Sequence, residues 1–474
     1  MDIKVRIAPS PTGHLHIGTA LVALFNYLYA KKTGGRFVLR IEDTDVERSD
    51  KRYEMNILSG LRWLGIKWDE GPYRQSDRID FYSKYINQLL NEGKAFWCYH
   101  TPEELEQERE EQMKNKDIPR HVCSYKNSDE RKEKGIIRLR VNENSKRKIA
   151  FEDIVRERVE FEERLLGDVS IAKDEKTPLY NFAVVCDDYD MGITHVLRGE
   201  DHISNTPKQI LIQEALGFPR PQYAHLSLIL GPDRSKMSKR HGSVSLNEYK
   251  EQGYLPEALA NYMITLGFTL LPKDKEIMSI DEIVEIFNLG EVHKSGSIFD
   301  IKKLDWMNGQ YISKMNDDDL RKMMKKHLGE KYNDAVNRSI KMIKERLTKM
   351  SDLEEFDFLY EKLKFDSQIL IWKKGTAESA KEALAAVEET LKGFNPGVVR
   401  KIWSKFWGKN PYDGLREELD KLAENKFEKD RGAVYWPFRV ALSGRKFSPD
   451  PVDILQSIGK EEALQRVQKA IESL

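Results

Sequence analysis

The sequence is poor in cysteine and has no long apolar run. Three cysteines in 474 residues exclude a disulfide-stabilised scaffold and are typical of a protein in a reducing compartment. No stretch approaches the roughly 18 consecutive apolar residues that a membrane-spanning helix needs, and Met1–Pro11 lacks the apolar core of a signal peptide. These absences predict a cytoplasmic protein that does not span a membrane.

An excess of charge of either sign is also absent. Lys and Arg total 78, as do Asp and Glu. This balance excludes a protein that coats nucleic acid through bulk charge, although it leaves room for a local basic face. Hydrophobic residues make up 40% of the chain, which is enough for folded cores, and at roughly 150 residues per domain the length predicts about three domains.

The N-terminal residues have the pattern of a βαβ unit. Ile3–Ile7 is rich in β-branched residues and ends in a turn with two prolines and a glycine. A helical pattern that includes Leu24 and Leu28 follows and stops at Gly34, and Arg36–Ile41 is again strand-like. A strand, a helix and a strand in this order imply a parallel sheet.

The remaining chain changes character twice. From about residue 95 to 185, a charged helical pattern over Glu103–Lys116 and short strands such as Ile136–Val141 indicate an insertion. Strand candidates at Ile193–Leu197 and Leu226–Leu230 return to the first sheet, and after Asn247 amphipathic helices dominate. We therefore predict an α/β domain at residues 1–94 and 186–245, an α+β insertion at 95–185, and helical domains at 246–315 and 316–474.

Two motifs have the composition of a nucleotide site. His16-Ile17-Gly18-Thr19 opens the predicted helix, where backbone N–H groups and the helix dipole favour phosphate and a glycine permits its close approach. Lys236-Met237-Ser238-Lys239-Arg240 puts three cations into five residues, a clamp for a polyphosphate, with Mg²⁺ on the leaving pyrophosphate. Alone, each motif is common at helix ends or on solvated loops. Together, on an α/β frame, they favour an ATP site.

These two motifs resemble the HIGH and KMSKS signatures of class I aminoacyl-tRNA synthetases. Longer stretches resemble the glutamyl-tRNA synthetase family in particular, at residues 6–13, 40–45, 180–185, 195–202 and 253–258. They lie within residues 1–310, and the helical remainder fits the bacterial type. Thr19 stands where the HIGH signature ends in His, a variation that is common in the glutamyl branch.

The resemblance implies both a fold and a reaction. The fold is expected to be a Rossmann-like catalytic domain of the HUP type with an acceptor-binding insertion, followed by all-α stem-contact and anticodon-binding domains. The expected reaction joins L-glutamate to ATP as glutamyl-adenylate, releases pyrophosphate and transfers glutamate to the 3′ end of tRNA(Glu), with Mg²⁺ on ATP. In this family adenylate formation generally requires bound tRNA. We expect a monomer.

The resemblance also assigns the nucleotide site residue by residue. His16 and Lys239 are expected to contact the transition state. No protein acid or base is needed, because the α-carboxylate of glutamate is itself the nucleophile. The residues expected around ATP are Pro9, Thr12, Gly13, His16, Gly18, Thr19, Lys236, Met237, Ser238, Lys239 and Arg240.

A glutamate pocket must satisfy two carboxylates and an ammonium group. Burying either carboxylate unpaired would cost several kcal/mol, and arginine is favoured because its planar guanidinium binds a carboxylate through two hydrogen bonds. The resemblance implies Arg6 for the side-chain carboxylate, Arg198 for the α-carboxylate and Glu42 for the ammonium group. The expected glutamate-binding set is Arg6, Ala8, Ser10, Glu42, Tyr180, Val184 and Arg198.

Soft and borderline ligands in the predicted insertion have the spacing of a zinc site. The four candidates are Cys98, His100, Cys123 and Tyr125, and some members of the family that this chain resembles carry a zinc knuckle here. The alternative is two buried cysteines and a surface histidine without a metal. Cys186 lies in an apolar run that predicts a buried strand.

The helical C-terminal third places cations near aromatic rings, a pattern that suits phosphate contact and base stacking. Arg400 and Lys401 lie near Trp403, for example, although solvated cations and core tryptophans are the alternative. From the resemblance, Arg346 and Arg439 are the anticodon-reading candidates. An arginine at the position of Arg346 favours the tRNA for glutamate, and a non-discriminating enzyme that also charges the tRNA for glutamine is the alternative.

Other functions share part of these motifs. A glutaminyl-tRNA synthetase has a β-barrel anticodon part, and a glutamylated-queuosine enzyme lacks the C-terminal third. A cofactor nucleotidyltransferase lacks the helical domain and the pair Arg6 and Glu42. A catalytically inactive, tRNA-binding paralogue is disfavoured by the presence of His16, Gly18 and Lys239.

Overall fold

The computed structural model describes residues 2–474 except 46, 129–131, 133, 243, 270–274, 365, 374 and 396–411. The side chain of Lys239 is also outside the described part, as are Arg400, Lys401 and Trp403. The chain divides into two compact units. The first comprises Met1–Glu251 and Leu255–Leu304, and the second comprises Gln252–Tyr254 and Asp305–Leu474.

Strands and helices alternate in the first unit. Its strands are β1 (Lys4–Ile7), β2 (Arg36–Ile41), β3 (Glu70–Arg74), β4 (Ala95–Cys98), β5 (Ile136–Leu139), β6 (Lys148–Asp153), β7 (Glu157–Glu162), β8 (Val169–Asp174), β9 (Thr177–Pro178), β10 (His195–Gly199), β11 (Gln222–Leu226), β12 (Ile229–Leu230) and β13 (Ser297–Ile298). Its helices are α1 (Ile17–Thr33), α2 (Lys51–Trp63), α3 (Ile79–Asn91), α4 (Pro102–Lys114), α5 (Tyr180–Asp190), α6 (Thr206–Leu216), α7 (Leu246–Glu251), α8 (Pro256–Gly267) and α9 (Ile280–Ile286), and α10 (Ile301–Lys314) follows.

A parallel sheet forms the centre of the first unit, as the N-terminal pattern predicts. β1, β2 and β3 pair in parallel, as do β10 and β11. β10 lies beside β1, because the N–H of Thr194 donates to the carbonyl oxygen of Lys4 at 2.9 Å. β1 and β10 are therefore the central strands of the sheet, with β2 on the outer side of β1 and β11 on the outer side of β10. In such sheets the carboxyl ends of the two central strands border a ligand-binding crevice.

Helix α1 begins at the carboxyl end of β1 and carries the first motif. His16 is its N-cap, and the imidazole accepts the N–H of Gly18. Gly34 follows the helix in the left-handed region, with φ of 64°, a conformation that suits glycine because it has no Cβ. Leu24 and Leu28 are buried, as the helical pattern predicts, and the helix packs against β1, β2 and β10.

Residues 95–185 contribute to two sheets. β4, β5, β8 and β9 form an antiparallel sheet of their own. The hairpin of β6 and β7 instead extends the central sheet, since β6 lies parallel to β11 with Asp153 opposite Tyr223. The charged helix α4 begins at a capping box formed by Thr101 and Glu104 and buries no side chain. The predicted insertion is thus only partly separate from the sheet that borders the crevice.

Some predicted strands differ from those observed. The predicted strand Leu226–Leu230 is split, because β11 ends at Leu226 and β12 is a separate pair of residues. Cys186 does not lie in a strand but in α5, where it is fully buried. Every residue from Phe182 to Cys186 is buried, and a run that is apolar on all sides has no period by which to tell a helix from a strand.

The described residues of the second unit form helices and no strand, as predicted for the C-terminal third. After α10 come α11 (Asp317–Leu328), α12 (Asp334–Arg338), α13 (Ile340–Lys344) and α14 (Ala377–Gly393), then helices at Asp413–Lys426, Arg431–Ser443, Pro451–Ile458 and Lys460–Ser473. The apolar face of α14 is buried, at Ala380, Leu384, Val387 and Leu391, in agreement with the amphipathic pattern of this part of the sequence. Within the part of the chain that the structure describes, no helix is long and apolar enough to cross a membrane.

Candidate active site

A cavity of about 430 Å³ opens at the carboxyl ends of β1 and β10, beside the N-terminus of α1. From the predicted glutamate set it is lined by Arg6, Ala8, Ser10, Glu42, Tyr180 and Arg198. From the predicted ATP set it is lined by Pro9, His16, Gly18, Thr19, Lys236 and Met237. The fold therefore brings the two distant motifs and the paired arginines to one cavity.

Other predicted residues do not line this cavity, namely Thr12, Gly13, Val184, Ser238 and Arg240. Val184 is buried in α5. Arg240 is exposed, and its guanidinium binds Asp233 at 3.1 Å and the hydroxyl of Ser235 at 2.8 Å. The assignment of Lys239 to the transition state falls on a side chain outside the described part of the chain.

The imidazole of His16 has one defined proton. Its Nδ1 accepts the N–H of Gly18 at 3.0 Å, so in the neutral ring the proton is on Nε2. Burial, with a smaller effect of the Lys236 charge, lowers the pKa of His16, and the ring is therefore neutral near pH 7. A Cβ at Gly18 would lie 3.3 Å from Nδ1, so the glycine leaves room for the ring. His16 can donate from Nε2 to a bound group.

Lys236 brings a cation of the second motif to the cavity. Its ammonium lies 2.8 Å from the carboxylate of Asp201, which also lines the cavity. The two side chains are 60% and 41% exposed, so their ion pair contributes little to stability. A phosphate can therefore replace Asp201 as the partner of Lys236 at little cost.

Arg198 is a buried cation whose protein partners are neutral. It is 5% exposed. Its nitrogens donate to neutral groups, Nε to His225 Nε2 at 3.1 Å, Nη1 to Gln209 Oε1 at 2.8 Å and Nη2 to Thr206 Oγ1 at 2.8 Å. Among the described residues, no carboxylate forms an ion pair with it. Burial, with a further effect of Arg6, lowers the pKa of Arg198. A carboxylate in the cavity would supply the missing counter-charge.

Arg6 shares its charge with a buried ion network. Its guanidinium binds Asp188 through Nε at 3.1 Å and through Nη2 at 3.3 Å. Arg40, which is fully buried, joins Asp188 at 2.8 Å to Glu42 at 3.0 Å. Burial opposes the charges on Asp188 and Arg40, yet their mutual attraction outweighs it, so the pKa of Asp188 is lowered and that of Arg40 is raised. The network fixes Arg6 and Glu42 on the wall of the cavity.

Tyr180 and His202 add a neutral polar wall next to Arg198. The Tyr180 hydroxyl lies 3.1 Å from His202 Nδ1, and the amide of Asn205 donates to the same nitrogen at 3.2 Å, so the hydroxyl is also a donor. Burial raises the pKa of Tyr180 to about 12. Burial and the Arg198 charge lower the pKa of His202 to about 4. Near pH 7 both groups are therefore uncharged, and Arg198 is the cation of this wall that attracts an anion.

Arg40, Asp188 and His202 are functional residues that the sequence motifs do not single out. Arg40 and His202 lie within the stretches 40–45 and 195–202 that resemble the glutamyl family. Their location in these stretches could have identified them as candidates. Asp188 lies beyond the stretch 180–185, and no sequence pattern indicates that it meets Arg6 from 182 residues away.

Cysteine and histidine side chains converge between β4 and β5. One ligand atom from each of Cys98, His100, His121 and Cys123 lies within 4.8 Å of the others. Cys98 Sγ is 3.5 Å from both His100 Nδ1 and His121 Nε2, close to the edge of about 3.3–3.8 Å that zinc–ligand bond lengths give a tetrahedron. His121 Nδ1 lies 2.5 Å from Glu108 Oε2, the type of carboxylate partner that zinc-bound histidines commonly have.

His121 takes the place predicted for Tyr125. The Tyr125 hydroxyl accepts a hydrogen bond from Lys132 Nζ at 2.5 Å, and its ring meets the His100 ring edge-on with centroids 5.0 Å apart. The spacing pattern favoured Tyr125 because it follows Cys123 by two residues, whereas His121 precedes Cys123 by two. Two cysteines and two histidines also match zinc better than a set that includes a phenol.

Comparison with known proteins decides the family. A family model for class I tRNA synthetases (E and Q), catalytic domain, matches residues 2–306, and one for an anticodon binding domain matches residues 318–471. The chain is 41% identical to glutamate–tRNA ligase 2 of Thermoanaerobacter pseudethanolicus over 99% of this chain and 98% of that protein. The chain belongs to the glutamate–tRNA ligase family. Glutamate–tRNA ligase of Carboxydothermus hydrogenoformans is 42% identical over 98% of this chain and 99% of its own length.

A solved structure confirms the class I fold. The glutamate–tRNA ligase of Elizabethkingia meningosepticum, in complex with its amino acid, matches with a TM-score of 0.83 and 32% identity over 100% of both chains. The predicted fold class, a parallel-sheet catalytic domain followed by a helical anticodon-binding domain, is therefore confirmed.

The two anticodon candidates lie in the helical part of this family fold. Arg346 is exposed and follows α13. Arg439 lies in the helix Arg431–Ser443 and is half-buried, and its Nε is buried without a hydrogen-bond partner among the described residues. Arg346 thus offers an exposed guanidinium to a polar partner, whereas the unpaired Nε of Arg439 is enclosed by the protein.

Proposed function

We propose that the cavity activates L-glutamate with ATP and transfers it to tRNA(Glu), as the names of the relatives indicate for those proteins. One observation carries the amino-acid assignment. Arg198 is a buried cation on the cavity wall whose nitrogens all donate to neutral partners. A buried guanidinium without a counter-ion favours a ligand that brings a carboxylate, and glutamate brings two.

The paired arginines divide the two carboxylates between them. Arg198 supplies net positive charge and takes the α-carboxylate. Arg6 is partly neutralised by Asp188 and takes the side-chain carboxylate chiefly through hydrogen bonds. Glu42 takes the ammonium group, and its own position is fixed because one carboxylate oxygen accepts from Arg40 at 3.0 Å. Ser10 and Tyr180 add polar contacts.

The activation step needs positioning and charge stabilisation rather than a protein acid or base. An α-carboxylate oxygen of glutamate attacks the α-phosphorus of ATP, the bond to the bridging oxygen breaks, and pyrophosphate leaves. His16 donates from Nε2 to a phosphate oxygen, and Lys236 supplies positive charge. On the basis of the sequence motif, Lys239 is assigned the same role as Lys236, which is to supply positive charge to the phosphates. The terminal ribose hydroxyl of the tRNA then attacks the carbonyl carbon, and AMP leaves.

Aminoacyl-tRNA synthetases generally use Mg²⁺ with ATP, and this ion neutralises charge on the leaving pyrophosphate. The cavity wall offers an oxygen ligand that fits it. Glu42 is paired with Arg40 and assigned to the ammonium group, whereas the exposed carboxylate of Asp201 pairs only with the exposed Lys236 among the described residues. A magnesium ion bound by phosphates and one carboxylate is a common arrangement in nucleotide sites, and Asp201 is the residue we assign to it.

The second metal that we propose is a structural zinc ion at Cys98, His100, His121 and Cys123. The donor set and the separations of the ligand atoms fit tetrahedral zinc. Glu108 would hold the ring of His121 in place. Cys98 ends β4 and His100 follows it closely, whereas His121 and Cys123 lie in the segment after α4. The ion would therefore fasten this segment to the antiparallel sheet of residues 95–185.

The tRNA is assigned to both parts of the chain. Residues 95–185 are proposed to hold the acceptor end, residues 246–315 the stem, and residues 316–474 the anticodon, with Arg346 and Arg439 in contact with anticodon bases. An arginine at the position of Arg346 favours tRNA(Glu) over tRNA(Gln). Exposed guanidinium groups bind RNA through its phosphates and base edges.

Exchange of labelled pyrophosphate into ATP tests this function directly. The expected result is exchange that requires both glutamate and tRNA(Glu), followed by stable acylation of the tRNA. Glutamine, aspartate and an amino-acid-free sample are the matched controls. Exchange with one of these amino acids instead of glutamate, or tRNA binding without any exchange, would contradict the proposal.

A further inference from the structure

Arg198 is held from behind by a buried histidine–aspartate pair. Arg198 Nε donates to His225 Nε2 at 3.1 Å, and His225 Nδ1 lies 2.6 Å from Asp153 Oδ2. The three residues are 5%, 0% and 4% exposed. Neither His225 nor Asp153 lines the cavity, so neither is in a position to touch a substrate there.

The donors and acceptors of this chain fix the tautomer of His225. A guanidinium only donates, so His225 Nε2 must accept and carries no proton. The proton of the neutral ring is therefore on Nδ1 and is donated to Asp153. The carboxylate of Asp153 is held in turn, because its Oδ1 accepts the backbone N–H groups of Val155 at 3.0 Å and Arg156 at 2.8 Å.

The three residues lie on three neighbouring strands. Arg198 is on β10, His225 is on β11, and Asp153 is the last residue of β6. β6 belongs to the hairpin that residues 95–185 add to the central sheet. Asp153, which belongs to this segment, is therefore linked to Arg198 on the cavity wall by the imidazole ring of His225.

We propose that His225 and Asp153 are positioning residues for glutamate, which aim the Arg198 guanidinium at the cavity by keeping His225 in the tautomer that accepts at Nε2. This inference rests on the proposed role of Arg198 as a carboxylate ligand. The direction of a guanidinium decides whether it binds a carboxylate through two parallel hydrogen bonds. Small errors in such supporting contacts are enough to weaken a binding site.

Asp153→Asn reverses the tautomer without removing volume. The asparagine oxygen remains the acceptor for Val155 and Arg156, so the amide nitrogen faces His225 Nδ1. Since the amide nitrogen only donates, His225 Nδ1 must accept. The ring proton then moves to Nε2, where it faces the N–H of Arg198. Two donors that face each other give up their hydrogen bond. The ring proton can turn to Thr206 Oγ1, which lies 3.1 Å from Nε2, but the buried Nε of Arg198 is left unsatisfied. Arg198 is therefore expected to turn away from its carboxylate-binding direction.

The test is the Michaelis constant for glutamate and for ATP in the exchange reaction with tRNA present. Asp153→Asn is expected to raise KM for glutamate about tenfold or more, as for the loss of one hydrogen bond to a charged group, and to change KM for ATP by less than about twofold. Tyr223→Phe is the matched control, because it removes a buried hydroxyl from the same strand, bonded to Gln213 at 3.2 Å, and it should leave both constants unchanged.

Two substitutions of His225 separate positioning from support of the fold. His225→Gln can place an amide oxygen where Nε2 accepts from Arg198, whereas His225→Asn can keep only the donor to Asp153. Glutamine is expected to retain most of the affinity for glutamate and asparagine to lose it, at similar melting temperatures. Equal KM values for glutamate in the two variants would overturn the inference, and this comparison holds even if Asp153→Asn fails to fold.

Nitrogen NMR of histidine-labelled protein gives an independent readout. In the wild-type protein, His225 is expected to show a protonated Nδ1 and an unprotonated Nε2, and the opposite assignment would overturn the inference. The proposed function fails separately, if the wild-type protein shows no glutamate-dependent exchange. Wild-type activity together with an unchanged KM for glutamate in a folded Asp153→Asn variant rejects the positioning role alone.

Discussion

His16 Nδ1 accepts the backbone N–H of Gly18 at 3.0 Å, which leaves Nε2–H as the donor of the ring. We therefore expect His16→Ala to slow pyrophosphate exchange by about 10²-fold or more, the usual effect of removing one donor to transition-state charge. His16→Gln, which can place an N–H near the position of Nε2, should recover part of this loss. His14→Ala changes an exposed ring two positions away and should have no effect. Equal rates for His16→Ala and His14→Ala would contradict the assignment.

Replacing Arg198 and replacing Arg6 are expected to have different effects on glutamate binding and on stability. Arg198→Ala should raise KM for glutamate about 10²-fold, since removing one member of a buried charge pair costs about 2–5 kcal/mol. Arg6→Ala should also weaken glutamate binding, and it should lower the melting temperature, because Asp188 loses one of its two buried partners. Arg220→Ala, on an exposed arginine bonded to Glu214, is the control. An unchanged KM for glutamate in the Arg198 variant would remove the basis of the amino-acid assignment.

His202 makes the stability of the first unit depend on pH. Its pKa is about 4 in the folded protein against a usual value of 6.5. Above pH 6.5 both the folded and the unfolded state hold a neutral ring. As pH falls from 6.5 to 4, only the unfolded state gains the proton, so the free energy of unfolding decreases by at most about 1.4 kcal/mol per pH unit.

His202→Gln should make this decrease shallower. Denaturant unfolding of the wild-type protein and of the variant between pH 7.5 and 4.5 measures the two slopes. Above pH 7 the difference between their free energies of unfolding should be constant, which provides the internal control. Parallel curves over the whole range would show that the ring is not held neutral by its surroundings.

Metal analysis distinguishes the observed cluster from the one predicted by sequence spacing. We expect about one zinc per chain in the wild-type protein and in Tyr125→Phe, and little zinc in His121→Asn or Cys123→Ser, because a structural site needs four ligands. Cys186→Ala, at a buried cysteine outside the cluster, should retain the metal. Loss of zinc in Tyr125→Phe with retention in His121→Asn would favour the spacing-based set.

Arg346 is expected to affect the choice of tRNA and not the use of ATP. Arg346→Ala should reduce the preference in kcat/KM for tRNA(Glu) over tRNA(Gln) by about tenfold, within the range of about 1–3 kcal/mol for an arginine contact to a base edge. KM for ATP should stay the same. Lys341→Ala, at an exposed cation on α13, is the control. Equal preferences in the two variants would place the anticodon contact elsewhere.

The elements that can be predicted from the sequence are those whose pattern lies in consecutive residues. The turn and helix that carry His16 have turn residues and an apolar period in consecutive positions, so the pattern predicts β1 and α1 correctly. The prediction of a strand around Cys186 is wrong, because the buried run from Phe182 to Cys186 in α5 has no polar face to show its period. Helical and extended forms of such a run differ only in what packs around it.

The parts of the site that the sequence does not reveal are contacts between distant residues. Asp188 reaches Arg6 across 182 positions, and His225 reaches Asp153 across 72. The residue type does not show whether a carboxylate will be buried or exposed, because burial is decided only when the sheet assembles. Resemblance to the family supplied Arg6 and Arg198 themselves but not the residues that hold them.

The position of β6 sets a limit on any attempt to shorten this protein. Cutting out residues 95–185 and rejoining the ends would remove the strand that covers one side of β11. The uncovered side would present unpaired backbone N–H and C=O groups, which invite association with other chains. A miniature version limited to the nucleotide fold would therefore need a replacement strand beside β11, and a carboxylate where Asp153 now ends β6.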